Sequence, residues 1–346
     1  MRQKRRLFSL GALIGLALLT AFGASFSSRV TASAPKSDVT LTLYNAQHVA
    51  LAEAWAKDFT AQTGIKVAMR SGNDSALANL LLQEGSGSPA DVFITENSPA
   101  MTMVANAGLF APVDSATVAQ VPPQFASPAG DWVGIAARTT VFVYNTSMLG
   151  PDSLPISMMD LANPEWSGRF GIAPTGADFQ AIVSAVLALR GPEATSQWLN
   201  GLKANARIYQ GNSAIMRAAN SGEIEGGIIY HYYWFGDRRE SGANSSNVEL
   251  HYFGNQDPGA FLSVSGGGVL QSSKYPAEAQ QLLNYITSVR GQQLLSESNA
   301  MEYAIDSNVA AHPSLKPIAE LNAPYVDLST LNGPQVIELM QKAGLL

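Results

Sequence analysis

Apolar and polar positions alternate from Val39 to Tyr44 in the manner of a half-buried strand, which ends at Asn45-Ala-Gln-His48. Leu51, Trp55 and Phe59 follow at spacing four, predicting an amphipathic helix over 49–62 that Gly64 stops. Ile65, Val67 and Met69 alternate again as a second strand. Asp74 is the expected cap of a helix over 75–84 that ends at Gly85. Ala90 to Thr95 reads as a third strand and delivers Glu96 at its carboxyl end. Strand–helix–strand units of this kind imply parallel strands that collect ligands at their C-terminal edge. That topology sets His48 and Glu96 on one edge of one sheet.

Trp132 to Tyr144 is too long a strand for one small sheet and is expected to cross between two lobes. A second series follows: a strand at 170–173, helices near 179–190 and 194–203, a helix capped by Asn212, and strands at 225–230 and 248–253. Phe261 to Leu270 is the expected return crossing, and the chain from Ala277 onward is expected to be mainly helical. The fold class is therefore α/β, with two doubly wound sheets joined by a strand hinge around a cleft. The predicted lobes are 38–138 plus 263–313 and 139–262 plus 314–346.

The 346-residue chain opens on a basic start, Met1 to Arg6, and an uncharged apolar run from Leu7 to Ala24. This reads as a signal peptide and spacer over 1–34, cleaved after Ala24 or within Thr31–Ala34, and a periplasmic mature protein. An uncleaved, membrane-tethered form is the plainer alternative. Residues 1–37 hold six basic side chains and no acidic one, so their removal takes the formal charge from −6 to −12. So acidic a surface argues against nucleic acid and anionic lipid as partners. The chain has no cysteine, which excludes disulfides, thiolate metal sites and a lipid-modified N-terminal cysteine.

The densest chemistry lies at Tyr230, His231, Tyr232, Tyr233 and Trp234, just past a predicted strand. An aromatic edge of the core is one reading. In the first turn of a helix, however, adjacent phenols converge, and oxygen donors suit a hard trivalent cation. Gly236 and the charged run after it predict a turn into a solvated helix. Glu96 adds a carboxylate and His48 an imidazole. With two phenolates the set carries three negative charges, matching Fe3+. Taken singly, Glu96 also reads as a solvated strand end and His48 as a helix-entry residue.

The segments Leu43-Tyr-Asn-Ala-Gln-His48, Gly87-Ser-Pro-Ala-Asp-Val-Phe93 with Glu96, Asn212-Ser213, Gly222-Glu-Ile224, Tyr232-Tyr-Trp234 and Asp257-Pro-Gly-Ala260 resemble the ferric-ion-binding proteins of bacterial ABC importers. The similarity runs in order over the mature chain. It implies a type II periplasmic-binding-protein fold, Fe3+ ligation by His48, Glu96, Tyr232 and Tyr233, a monomer, and an ABC permease of the inner membrane as partner. It also implies a synergistic anion, carbonate or phosphate. The matching residues are the Thr175-Gly176-Ala177 loop before a predicted helix, with Asn97 and Asn212. Helix capping is the firmer expectation for Asn212. Two departures bear on the anion. Asp178 would repel phosphate if it points inward, and Tyr230 stands where phosphate-binding members carry asparagine. Tyr230 is thus a candidate third phenolate, with His48 then dispensable. Arg138 is a candidate partner for carbonate, or an ordinary salt-bridge residue.

Two other functions compete. One is a two-lobed receptor for an organic solute such as a polyamine, thiamine or sugar, stacked on the tyrosines. The other is an exported hydrolase, for which the chain offers neither a Gly-x-Ser-x-Gly elbow nor a His-Glu-x-x-His pair. His251 and His312 lack partners at metal spacing. Gly266-Gly-Gly268 lacks the lysine of a phosphate loop and is expected to ease the hinge or pack against a neighbour.

Overall fold

The first alternating segment forms β1 (Thr40–Asn45), and the spacing-four stripe forms α1 (Val49–Thr63), with Leu51, Trp55 and Phe59 buried. Gly64 ends the helix in the left-handed conformation at φ 77°, which glycine adopts without a side-chain clash. In this computed structural model, residues 37–331 and 333–346 are described. The predicted signal peptide over 1–34 lies outside the described residues.

β2 (Lys66–Ser71), α2 (Asp74–Glu84), β3 (Val92–Ile94), α3 (Ser98–Asn106) and the short α4 (Ser115–Val118) follow. β1 pairs in parallel with both β2 and β3, as the crossover units require. β3 is shorter than its apolar run, because Thr95 already turns toward the backbone of Gly266.

β4 (Val133–Asn145) is the long predicted crossing strand, buried at every position but Tyr144. Burial on both sides explains its apolar stretches Val133–Ala137 and Val141–Val143, which the buried Arg138, Thr139 and Thr140 separate. Next come β5 (Phe170–Ile172), α5 (Ala177–Asn205), β6 (Arg207–Ile208), α6 (Asn212–Ser221), β7 (Gly226–Tyr230), α7 (His231–Glu240), β8 (Val248–His251) and β9 (Leu262–Val269). The two helices expected between 179 and 203 run on as α5, which Gly191 breaks at φ 77° ahead of Pro192. The strand order is β2-β1-β3-β9-β4-β7-β5-β6, with β8 on β4. Along β4 the partner changes. Residues up to Thr139 pair antiparallel with β9, whereas Thr140 onward pairs with β7 and then also β8.

Three expectations differ. Asn73, not Asp74, caps α2, its side chain accepting from Ala76 N, and Asp74 is buried for another purpose. Gly211 is the cap residue of α6, so Asn212 is its first helical residue and its side chain is free to point elsewhere. After α8 (Pro276–Thr287) and α9 (Val289–Glu297) the chain is irregular apart from short 3-10 turns until α10 (Gly333–Lys342). Buried apolar residues such as Met301, Tyr303, Leu315 and Leu321 pin that stretch without a helical repeat.

Gly266, Gly267 and Gly268 are packing positions. A Cβ on each would lie 2.3 Å from Met101 Cγ, 2.7 Å from Leu283 Cδ1 and 2.7 Å from Phe110 Cδ1 respectively. Gly227 in β7 is tighter still, since a Cβ there would lie 2.2 Å from Ile215 Cγ2 and 2.9 Å from the carbonyl oxygen of Gly171. Gly227→Ala should therefore destabilise the protein by about 1–3 kcal/mol, read as a lower denaturation midpoint in urea.

Candidate metal centre

The first turn of α7 brings the tyrosines together. Tyr230 ends β7 as the cap residue and the chain turns helical at His231, so Gly236 lies inside α7 rather than in a turn before it. The rings of Tyr232 and Tyr233 stack with centroids 4.4 Å apart. His231 points the other way, fully buried against Tyr303, with its Nδ1 accepting from Thr139 N. Burial pushes its pKa down to about 4, so it packs as a neutral ring.

β3 and α3 supply the facing wall. Tyr232 OH donates to Glu96 Oε1 at 2.7 Å, and it also lies 3.2 Å from Asp178 Oδ2. Tyr233 OH donates to Asp178 Oδ2 at 3.1 Å. Asp178 occupies the second position of α5, where the helix dipole favours a negative charge, and its carboxylate points inward. Asn212 donates to it at 2.7 Å and Asn97 at 3.2 Å. The two asparagines expected around an anion thus converge on an aspartate, which is why Asn212 is not spent on capping.

Behind this layer, Asp74 accepts from Glu96 N at 2.8 Å and from Asn97 Nδ2 at 3.1 Å. It orients the Glu96–Asn97 turn rather than a helix end. Tyr230 is fully buried, its OH 3.4 Å from both Asn97 Oδ1 and the carbonyl oxygen of Asp178. Thr175 is exposed, and Gly176 and Ala177 are half-buried at the start of α5.

Arg138 is fully buried and forms a salt bridge with Glu302, donating from Nη2 at 2.8 Å, and donates to Ser265 Oγ at 2.6 Å. Of its two expected roles, the salt bridge is the one the geometry displays. Glu302 is the residue sequence reasoning missed, because it sits in an irregular segment with no motif around it. His48 Nε2 lies 2.9 Å from Glu302 Oε1 and 3.7 Å from Glu96 Oε1. His251 and His312 lie elsewhere, against Pro155 O and Arg239.

The electrostatics are lopsided. Burial, then the neighbouring Asp178 charge, pushes the phenols of Tyr232 and Tyr233 well above their ordinary range. The same two causes raise Glu96 to about 7. Burial raises Asp74 to about 6. Burial also opposes ionisation of Glu302, but Arg138 and His48 outweigh it and hold that carboxyl down at about 2. For His48, burial lowers the pKa, and the carboxylates of Glu302 and Glu96 more than restore it. A cluster of oxygen donors with pKa values raised in this way is chemically suited to a multivalent cation.

Residues 87–329 match the family model described as bacterial extracellular solute-binding protein. The chain is 52% identical over 345 residues to a Serratia marcescens protein called Fe(3+)-binding periplasmic protein, spanning 99% of this chain and 100% of that one. It is 36% identical to the major ferric iron-binding protein of Neisseria meningitidis serogroup A, over 88% of this chain and 93% of that one. Among solved structures, iron-bound HitA from Pseudomonas aeruginosa is similar at a TM-score of 0.84 and 46% identity, covering 89% and 100% of the two chains. The fold is the two-lobed α/β architecture of the type II periplasmic binding proteins.

Breaking the Arg138–Glu302 pair from one side leaves a buried, uncompensated charge. Glu302→Ala should cost about 3–5 kcal/mol of stability in urea unfolding, and the double variant Arg138→Leu/Glu302→Leu should cost clearly less.

Proposed function

The chain belongs to the bacterial extracellular solute-binding proteins, and on that premise we propose that it is a ferric-iron receptor holding the ion among Tyr232, Tyr233, Glu96 and Asp178. The observation that carries this reading is the convergence of two adjacent phenols on two carboxylates from different elements, at 2.7–3.2 Å. Two phenolates and Glu96 bring three negative charges to Fe3+. Asp178 brings a fourth, in the place an exogenous anion would take, already cradled by Asn97 and Asn212. The Asp178 carboxylate then stands in for the expected synergistic anion, carbonate or phosphate. Thr175, Gly176 and Ala177 present the helix start that favours that charge.

His48 completes the set more readily than Tyr230 does. Its Nε2 faces Glu96, whereas the Tyr230 hydroxyl faces Asn97. Iron entering the open cleft meets the tyrosines first, and closure brings Glu96 and His48 onto it. The lobes of this reading are 38–138 plus 263–313 and 139–262 plus 314–346. The change of partner along β4 at Thr139–Thr140 supports that boundary, as does Leu262 pairing with Thr139 in β9. The C-terminal part of the second lobe is tied back by Lys203 Nζ donating to Gly344 O.

A protein of this kind is a periplasmic receptor, not an enzyme, and passes iron as a monomer to an ABC permease of the inner membrane. Its relatives' names and its family support the periplasmic, iron-binding part of that assignment. No helix among the described residues is long and apolar enough to cross a membrane.

Ferric loading should produce a broad visible band from phenolate-to-iron charge transfer. Tyr233→Phe should remove it and abolish tight binding while leaving the far-ultraviolet circular dichroism unchanged. A colourless loaded protein would instead favour an organic solute stacked on the rings. Asp178→Ala opens the anion position, so iron retention by that variant should become dependent on added phosphate or carbonate, whereas the parent protein should load equally in anion-depleted buffer. Competition against citrate as chelator reads out both.

A further inference from the structure

We infer that α7 is latched to the opposite lobe outside the metal centre, by His231 as positioning residue for the tyrosine pair and by Arg239. In the lobe division proposed above, α7 belongs to 139–262, whereas residues 301–312 belong to 263–313. His231 and Arg239 stand about two turns apart on one broad face of α7, and both reach that short segment. The His231 ring stacks on Tyr303 with centroids 5.0 Å apart and an interplanar angle of 25°. Arg239 Nη1 donates to Met301 Sδ at 3.4 Å and lies 3.0 Å from His312 Nε2.

The segment they grip is itself fixed to the first lobe. Tyr303 N donates to Ala137 O at 2.8 Å and Ala137 N to Tyr303 O at 3.0 Å, on the part of β4 that pairs with β9. Met301 is buried in the left-handed conformation at φ 54°. A residue with a side chain keeps that conformation only where its surroundings over-determine it, and Arg239 supplies one of the contacts that do. On its other side, His231 Nδ1 accepts from Thr139 N at 3.3 Å, at the residue where β4 changes partner. One imidazole thus ties α7 both to the hinge and to the first lobe.

His231 directly precedes Tyr232 and Tyr233, so fixing its ring fixes the helical turn that presents both phenols to Glu96. Opening of the lobes slides His231 off Tyr303 and draws Arg239 away from Met301, so the latch favours the closed arrangement. Its consequence for iron rests on the ferric reading: the ion leaves only after opening, and whatever holds the lobes shut slows release. Arg238, the next residue back, is turned toward its own lobe, 4.7 Å over the Trp234 ring and 3.5 Å from Glu249 Oε1. It carries the same charge on the same helix without touching the first lobe.

Stopped-flow transfer of iron from the loaded protein to excess citrate tests this, with the charge-transfer band as signal. The expected result is release about tenfold faster in His231→Phe and about threefold or more in Arg239→Ala, with Arg238→Ala matching the parent. The band should keep its position in all three, because the donors are unaltered. Arg239 is exposed, so Arg239→Ala remains informative even where His231→Phe fails to fold. An unchanged release rate in Arg239→Ala, or an equal rise in Arg238→Ala, would overturn the latch. A parent protein without the band would sink the ferric reading instead. X-ray scattering of the metal-free protein then decides, since both latch variants should have a larger radius of gyration than the parent, and equal radii would refute the latch.

Discussion

Too many negative groups meet in too little water at the junction of β3, α5 and α7. Glu96, Asp178 and Asp74 lie within a hydrogen-bonded shell that also holds the phenols of Tyr232 and Tyr233. The nearest fixed cation, Arg138, is already bonded to Glu302. Desolvation makes each further ionisation expensive, which is why Glu96 sits near 7 and the phenols stay protonated. A multivalent cation relieves that cost in one step. On the proposed reading, the protein is built around a charge it does not carry itself, and its affinity draws on the repulsion among these donors.

The Arg138–Glu302 pair links this shell to the strand crossings. Arg138 is the last residue but one before β4 changes partner, and it lies opposite Ser263 in β9. Glu302 comes from the irregular chain after α9, and Ser265 from β9 accepts from the same guanidinium. A fully buried ion pair contributes little net stability, but it fixes where its partners sit. Here it locks the middle of β9, the middle of β4 and residue 302 into one register, and His48 is set against that fixed carboxylate.

On the proposed reading, aspartate in the anion position changes how such a receptor would work. An exogenous anion can leave, whereas Asp178 is attached to α5 and held by two asparagines. Release would then depend on the lobes separating and on protons returning to the phenols, not on loss of a small ion. The same residue explains the work of Asn97 and Asn212, whose amides find a permanent acceptor.

Much of this was readable along the chain, because periodicity reports which face of an element is buried. The stripe Leu51, Trp55 and Phe59, the long strand-like run of β4 and the glycine stops at 64 and 85 each express a local rule, and each formed as expected. The adjacent tyrosines past a strand end were legible for the same reason, since one helical turn suffices to converge them. Contacts between distant segments were not legible. Asp74 looked like a cap and Asn212 like another, but tertiary partners at Glu96 and Asp178 outbid the local backbone for both side chains. Glu302, 164 residues from Arg138 and 254 from His48, carries no local pattern at all. The sequence by itself determined the elements, their order and the donor-rich turn, because these follow from neighbours a few residues apart. Only the tertiary structure decided that Asp178 faces inward and that Glu302 meets His48, because a buried charge chooses its partner across the fold.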